Sequence, residues 1–295
     1  MSADPTWTVL ALIQWTSEFF SRKGIESARL DAELLLAHAL GRDRMWLYLH
    51  YDTPVGEPVR GRFRELVRRR AERVPVAYLT GEREFYALPF WVTPSVLIPR
   101  PETERLVEVV LGELIPLQGA EPLRLVDVGT GSGVLAVVLA KELGERLERI
   151  VATDRSPEAL QVAQKNAIRH GVAEWIEFRE GDLLAALAPE ERVHGILSNP
   201  PYVPSSELAS LQPEVRHEPR EALDGGPDGL EVVRRLVRQA PERLCPGGWI
   251  ALEVGAGQAP EVLALLEKEG FSSLRAFEDY SGVPRVVVGF WKEGD

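Results

Sequence analysis

Residues 123–133 read Leu123-Arg124-Leu125-Val126-Asp127-Val128-Gly129-Thr130-Gly131-Ser132-Gly133, an apolar run holding one acid and closing on three alternating glycines. Six mostly apolar residues bounded by turn-formers predict a buried strand. The glycines allow backbone to approach a ligand closely and deliver the chain into a helix from Val134. The same rhythm repeats downstream. Strands are expected over 149–153 (ending at Asp154), 175–179 (ending at Gly181-Asp182), 193–197 and 249–254, with helices over 157–170, 230–244 and 260–268 between them. A closing hairpin is expected from 273–277 and 284–291 around Asp279-Tyr280-Ser281-Gly282. Strand–helix alternation of this kind is the signature of an α/β doubly wound sheet, here of seven strands with an antiparallel pair at its end.

Upstream the periodicity changes. Residues 1–74 carry apolar positions at helical spacing. Gly24 and Gly41 serve as helix stops, Ser27 and Asp43 as N-caps, and Leu30, Leu34, Leu35 and Ala39 as one apolar face. A fourth helix, 59–73, turns Phe63, Leu66 and Val67 inward and an arginine-rich face outward: Arg60, Arg62, Arg64, Arg68, Arg69, Arg70 and Arg73. Such a face is usually solvated, and a partner-binding role is the alternative. Pro75 ends the pattern, and 82–86 with 89–93 alternate like a hairpin turning at Ala87-Leu88. The expected organisation is a helical domain over 1–74, a hairpin linker over 75–96 and an α/β domain over 97–295.

Charge and composition narrow the function classes. The net charge is −11. Residues 1–74 hold twelve basic against ten acidic side chains (+2), and the remainder twenty-two against thirty-five (−13). An acidic α/β half argues against a protein that tracks nucleic acid. A single cysteine, Cys245, excludes an internal disulfide, and five histidines without ligand spacing give no metal site. Without a signal-like N-terminus or an 18-residue apolar stretch, the expectation is a cytoplasmic monomer that does not bind membranes. Asn166 and Asn199 are the only asparagines. Asn166 suits an ordinary polar helix position; Asn199 needs another explanation.

Asn199 lies in Ser198-Asn199-Pro200-Pro201-Tyr202, at the carboxyl end of the expected fourth strand, the edge where open α/β sheets bind ligands. Two prolines stiffen the backbone and keep neighbouring carbonyls out of a ladder. Asn199 offers an acceptor oxygen and Tyr202 a flat ring, a combination suited to holding a planar –NH2 by both hydrogens. A strand-ending Pro-Pro turn would read the same way. Asp154, about twenty residues past the glycine loop, is placed for ribose hydroxyls. Asp182 could accept from an adenine amino group with Leu183 against the ring, or be a surface turn. Asp127, inside an apolar strand, calls for a cationic ligand or backbone donors. Val134 stands where a dinucleotide fingerprint wants Gly or Ala, which disfavours an NAD oxidoreductase.

These strand-end features converge on S-adenosylmethionine. Together with Ile98-Pro99-Arg100-Pro101-Glu102-Thr103-Glu104, Glu214-Val215-Arg216, Glu218-Pro219 and Gly225-Gly226-Pro227-Asp228-Gly229-Leu230, the chain resembles the release factor glutamine methyltransferases, the PrmC/HemK family. The resemblance implies a class I (Rossmann-like) methyltransferase sheet with a small all-helical N-terminal domain joined by a β-hairpin. It also implies methylation of the glutamine side-chain amide (N5) in the Gly-Gly-Gln motif of class 1 peptide chain release factors. By that resemblance Gly129, Thr130, Gly131, Ser132, Gly133, Asp154, Leu183 and Asn199 contact the cofactor, and Asn199, Pro200, Pro201 and Tyr202 hold the glutamine. Asn199, Pro200 and Tyr202 are the expected catalytic residues, with Asp127 and Asp182 added to the cofactor set by their position. A DNA or RNA adenine-N6 methyltransferase shares the Asn-Pro-Pro-Tyr geometry and remains an alternative, as does a non-catalytic nucleotide-binding scaffold.

Overall fold

The computed structural model describes residues 7–119 and 121–292; the extreme ends of the first and last expected domains, 1–6 and 293–295, lie outside them. Two compact units emerge, Met1–Glu82 with Pro213–His217, and Arg83–Gln212 with Glu218–Asp295.

The first unit holds helices α1 (Val9–Arg22), α2 (Ala28–Leu40), α3 (Arg44–Leu49), α4 (Glu57–Ala71) and α5 (Val76–Thr80). Thr8 caps α1, Asp43 caps α3, and Gly41 ends α2 in the left-handed region. Ser27 does not cap α2: its hydroxyl donates to Asp31 Oδ1 at 2.8 Å instead. The apolar face of α2 is also rotated from expectation. Leu30 is exposed, and Ala32, Leu35, Leu36 and Ala39 fill the core with Ile13, Phe20, Phe63 and Val67.

Arg70 corrects the reading of α4. It is buried, not outward, and its guanidinium donates to Asp31 Oδ2 (2.7 Å) and Glu214 Oε1 (2.9 Å), with Arg73 adding a 3.1 Å bond to Glu214. A buried charge stays only where it is paired, and Asp31 and Glu214 supply the pairing. Much of the remaining arginine face is paired within the helix: Arg60 and Arg64 with Glu57, Arg68 with Glu65 and Glu72.

Glu82, the last residue of the first unit's main segment, begins a two-stranded hairpin whose other residues belong to the second unit, β1 (Glu82–Phe85) and β2 (Leu88–Trp91). The hairpin turns at Tyr86-Ala87, one residue earlier than expected, with both residues at positive φ. After α6 (Glu104–Val109) come β3 (Leu123–Val128), α7 (Val134–Leu143), β4 (Leu147–Asp154), α8 (Pro157–Arg169), β5 (Ile176–Glu180) and β6 (Val193–Ser198). The chain then runs through α9 (Glu231–Gln239), β7 (Leu244–Glu253), α10 (Ala259–Lys268), β8 (Phe271–Glu278) and β9 (Pro284–Trp291). The seven strands order as β5-β4-β3-β6-β7-β9-β8, parallel through β7, with β9 antiparallel to both neighbours. This is the expected seven-stranded Rossmann-like sheet.

The central strands β3 and β6 are buried on both faces, which is why they read as largely apolar runs, whereas the edge strands β5 and β8 expose residues along their length. One face packs α6, α7 and the hairpin around Leu106, Leu125 and Val137; the other packs α9 and α10 around Val126, Ile196, Leu236 and Val262. The helix after residue 230 ends at Gln239, where Pro241 stops it, so β7 begins earlier than expected. Strand order reverses about β3: the chain walks outward through β4 and β5, then returns to β6 on the other side. The carboxyl ends of β3 and β6 therefore flank the topological switch point, where such sheets bind ligands.

Candidate active site

The glycine loop leaves β3 with Gly129, Gly131 and Gly133 all at positive φ. At Gly133 a Cβ would also stand 3.0 Å from the Ala163 Cβ of α8, so glycine is required twice over. The amides of Gly129 and Thr130 donate to the Thr153 carbonyl (2.9 Å each), and the Gly131 amide donates to Asp154 Oδ2 (2.9 Å). Asp154 Oδ1 accepts from the Ser156 amide, so this acid braces the loop as well as standing at the edge.

Asn166 overturns its reading as an ordinary helix position. It is fully buried; Oδ1 accepts from the Trp91 amide (2.7 Å), and Nδ2 donates to the carbonyls of Trp91 (3.0 Å) and Ser132 (2.8 Å). One side chain thus ties the glycine loop to β2. The sequence signal was its rarity, which the helix reading set aside.

Asp127 is wholly buried. Oδ2 accepts from the Thr130 hydroxyl at 2.6 Å, and Oδ1 has no partner. Burial pushes its carboxyl up to about 7, against the pull of the Thr130 hydroxyl. An orphaned acid oxygen beneath a glycine cradle fits a ligand that brings a positive charge. At the next strand end Asp182 is half exposed and ion-paired to Arg235 of α9, with Arg155 3.9 Å from its other oxygen. Leu183 beside it is buried with φ at 55°, strained backbone for a leucine.

Across the switch point, Ser198 Oγ donates to the Val128 carbonyl at 2.7 Å and fastens β6 to the start of the glycine loop. Asn199 Nδ2 then donates to Thr103 Oγ1 at 3.1 Å, which turns Oδ1 the other way. Neither Asn199 Oδ1 nor the Pro200 carbonyl accepts a hydrogen bond among the described residues. The Tyr202 carbonyl is engaged, accepting from Gln258 Nε2 at 3.0 Å, and a side chain at Gly229 would strike it at 2.4 Å. Burial, with Glu253 adding to it, pushes the Tyr202 phenol up to about 12, so it stays neutral near physiological pH.

The run 98–104 is held against this edge by Glu218, which accepts from the Ile98 amide (3.0 Å) and from Arg100. That places Thr103 beside Asn199. Thr103 and Glu253 are site residues the sequence reading missed, although Glu253, a lone acid closing an apolar strand, carries the same signal as Asp127.

Comparison with known proteins gives this geometry a family. Residues 11–81 match the model of the PrmC N-terminal domain, and 110–226 that of the methyltransferase small domain. The release factor glutamine methyltransferase of Geobacter sulfurreducens is 45% identical over 96% of each chain. The chain belongs to the release factor glutamine methyltransferase family. Members from Rhodopirellula baltica (41% identical, 97% of each chain) and Moorella thermoacetica (42%, 92% of this chain and 94% of that one) align over similar spans. Among solved structures, a methyltransferase from Pyrococcus furiosus superposes with a TM-score of 0.51 at 16% identity, covering 71% of this chain and 91% of that one. The hMettl16 catalytic domain superposes at 0.54 and 19%, covering 76% and 82%. At such identities these two show the shared fold. No helix among the described residues is long and apolar enough to cross a membrane.

Proposed function

We infer that this protein methylates the side-chain amide nitrogen of the glutamine in the Gly-Gly-Gln motif of class 1 peptide chain release factors, using S-adenosylmethionine. Near-full-length likeness to relatives bearing that name supports the substrate. The observation that carries the chemistry is the pairing of Asn199 Nδ2 with Thr103, which leaves Asn199 Oδ1 and the Pro200 carbonyl as two unengaged acceptors at the switch point.

S-adenosylmethionine supplies an electrophilic methyl group when bound. In this reading the cradle 129–133 and Asp154 hold it. Leu183 and Asp182 lie toward its base, and Asp127 faces its ammonium. Asn199 Oδ1 and the Pro200 carbonyl each accept one N–H of the substrate amide, which aims the nitrogen and raises its electron density; Pro201 and Tyr202 flank the flat group. An amide nitrogen is a poor nucleophile, and fixed dipoles plus orientation can lower such a barrier by several kcal/mol. Tyr202 is too weak an acid to hand over its proton near neutrality, and the motif contains no His, Cys or Lys. The reading is therefore direct in-line transfer without a covalent enzyme intermediate: the substrate nitrogen bonds the methyl carbon as that carbon's bond to sulfur breaks, and the nitrogen sheds one proton to solvent. A cytoplasmic monomer that acts on protein and not nucleic acid completes it, since the acidic α/β half disfavours a DNA or RNA substrate.

Mass spectrometry of purified release factor incubated with the enzyme and S-adenosylmethionine tests this. A mass gain of one methyl on the Gly-Gly-Gln glutamine is the expected result. An unmodified glutamine, or methylated adenine when DNA is offered, would overturn it.

A further inference from the structure

Gln258 lies in the turn between β7 and α10, and both ends of its side-chain amide are used. Oε1 accepts from the Gly255 amide at 2.8 Å, and Nε2 donates to the Tyr202 carbonyl at 3.0 Å. A flipped amide would set its nitrogen against an N–H and its oxygen against a carbonyl, so a single orientation is fixed. Glycine stands on either side of this contact. A Cβ at Gly229, already at φ 80°, would lie 2.4 Å from the Tyr202 carbonyl oxygen and 2.8 Å from Gln258 Nε2. One at Gly255 would lie 2.8 Å from Gln258 Oε1.

The carbonyl that Gln258 holds belongs to a peptide group held at its other end too. The Val203 N–H, in the same planar unit, donates to the Leu223 carbonyl at 2.9 Å. The Val203 carbonyl in turn accepts from the Gly225 amide at 2.9 Å. The chain therefore leaves the Asn-Pro-Pro-Tyr run through a peptide plane clamped on both sides. That clamp bears on the Pro200 carbonyl, which accepts no hydrogen bond among the described residues. A carbonyl left open for a substrate has no bond of its own to aim it. The proline rings fix φ at 200 and 201 but leave ψ free, so the direction of that carbonyl is set by what holds the run before and after it. Before it stand the Ser198 hydroxyl, bonded to the Val128 carbonyl, and the Asn199 amide, bonded to Thr103. After it stands Gln258.

We propose that Gln258 is a positioning residue for methyl transfer: by holding the Tyr202–Val203 peptide plane it aims the Pro200 carbonyl and the Tyr202 ring at the substrate amide. This deepens the glutamine-methylation reading and rests on it for the catalytic consequence; the anchoring itself does not depend on substrate.

Gln258→Glu tests the donor alone. Its carboxylate can still accept from Gly255 but has no proton for Tyr202; once protonated it has one, and the bonding pattern of the amide returns. Compared with wild type at the same pH, the variant should lose about a hundredfold in kcat at pH 8, the loss expected from a misplacement of about 1 Å. It should regain about tenfold of that as the pH is lowered to 5, with the KM for S-adenosylmethionine nearly unaltered. A kcat close to wild type at pH 8, or a deficit that stays flat between the two pH values, would overturn the proposal. Gln258→Leu, which fills similar space without either hydrogen bond, gives a second route should Gln258→Glu fail to fold. Hydrogen exchange followed by NMR should then run about tenfold faster at the Val203 amide while the Ile250 amide in β7 is unchanged. Val203 exchange as slow as in wild type, or an acceleration shared equally by Ile250, would also overturn it. Wild-type enzyme that leaves release factor unmethylated would sink the activity reading instead, and exchange at Val203 would still decide the anchoring.

Discussion

Asp127 and Glu253 are each the only acid of their strand, and each is pushed up to about 7 by burial. A carboxyl raised in the folded state gives stability that is present below its unfolded pKa near 4 and is lost as pH rises through the folded value. Replacing Asp127 by Asn should therefore raise the Tm of the ligand-free protein at pH 8 and change it little at pH 5. The same variant should weaken S-adenosylmethionine binding by about tenfold to a hundredfold, since a neutral amide cannot answer an ammonium; calorimetry reads this directly. Asn199→Ala should lower turnover by about a thousandfold with the fold intact, because it removes an acceptor without disturbing the glycine loop. A rate within tenfold of wild type would remove Asn199 from the mechanism. At this scale Asp127 and Asn199 were legible because each breaks a local rule: a charge among apolar residues, an asparagine in a chain that avoids them. Thr103 was not, because a threonine after Pro-Glu on a helical turn breaks none.

Elements were legible where period and punctuation agreed. The expected strand over 193–197 and the helix over 157–170 match β6 and α8 to within a residue. Short α5 was missed because five residues after a proline give no periodicity to read, and the face of α2 was half read, with Leu35 and Ala39 buried as expected but Leu30 exposed, because leucine and alanine occur all around it. Packing decided those cases, and packing is not a property of one segment. Gly195 of β6 shows the same limit. A Cβ there would lie 2.2 Å from the Trp249 ring of β7, whose indole is completely buried. Gly195→Ala should cost about 3 kcal/mol or more, seen as a lowered denaturation midpoint, because neither central strand can retreat. Asn166→Ala should cost a similar amount, about 3 kcal/mol, by stranding the Trp91 amide and the Trp91 and Ser132 carbonyls. It should also loosen cofactor binding, which a simple loss of helix stability would not do.

For the molecule as a whole, the charge imbalance between the helical residues and the rest was plain from composition, but the arginine helix was misjudged in its last turn. Arg70 lies between Asp31 and Glu214, and the second partner comes from a segment 144 positions later in the chain. No local pattern could announce it. Arg70→Ala should destabilise the protein by about 3–5 kcal/mol by leaving buried Asp31 without its cation and Glu214 with Arg73 alone, whereas Arg64→Ala, at an exposed pair, should leave the denaturation midpoint within error. The pH profile of ligand-free stability follows from both kinds of carboxylate. Burial alone would raise Glu33, Glu191 and Glu214, but Arg44 with Tyr48 and Arg29, Arg179 with the Ala188 amide and Arg149, and Arg70 with Arg73 together outweigh it and hold them low, so their contribution disappears only in acid. Asp127 and Glu253 work in the opposite sense, and the Tm maximum should lie on the acid side of neutrality.

The remote origin of Glu214 has a consequence for synthesis. Helices α1 to α5 leave the ribosome first, but Arg70 then has Asp31 alone until more than a hundred further residues have been made. At ordinary elongation rates that is roughly ten seconds or more. During that interval the leading helices wait, with a cation only half neutralised, for a strap that the later part of the gene must deliver. A nascent chain stopped before residue 213 should be cleaved by protease within α4, and one released past residue 217 should resist.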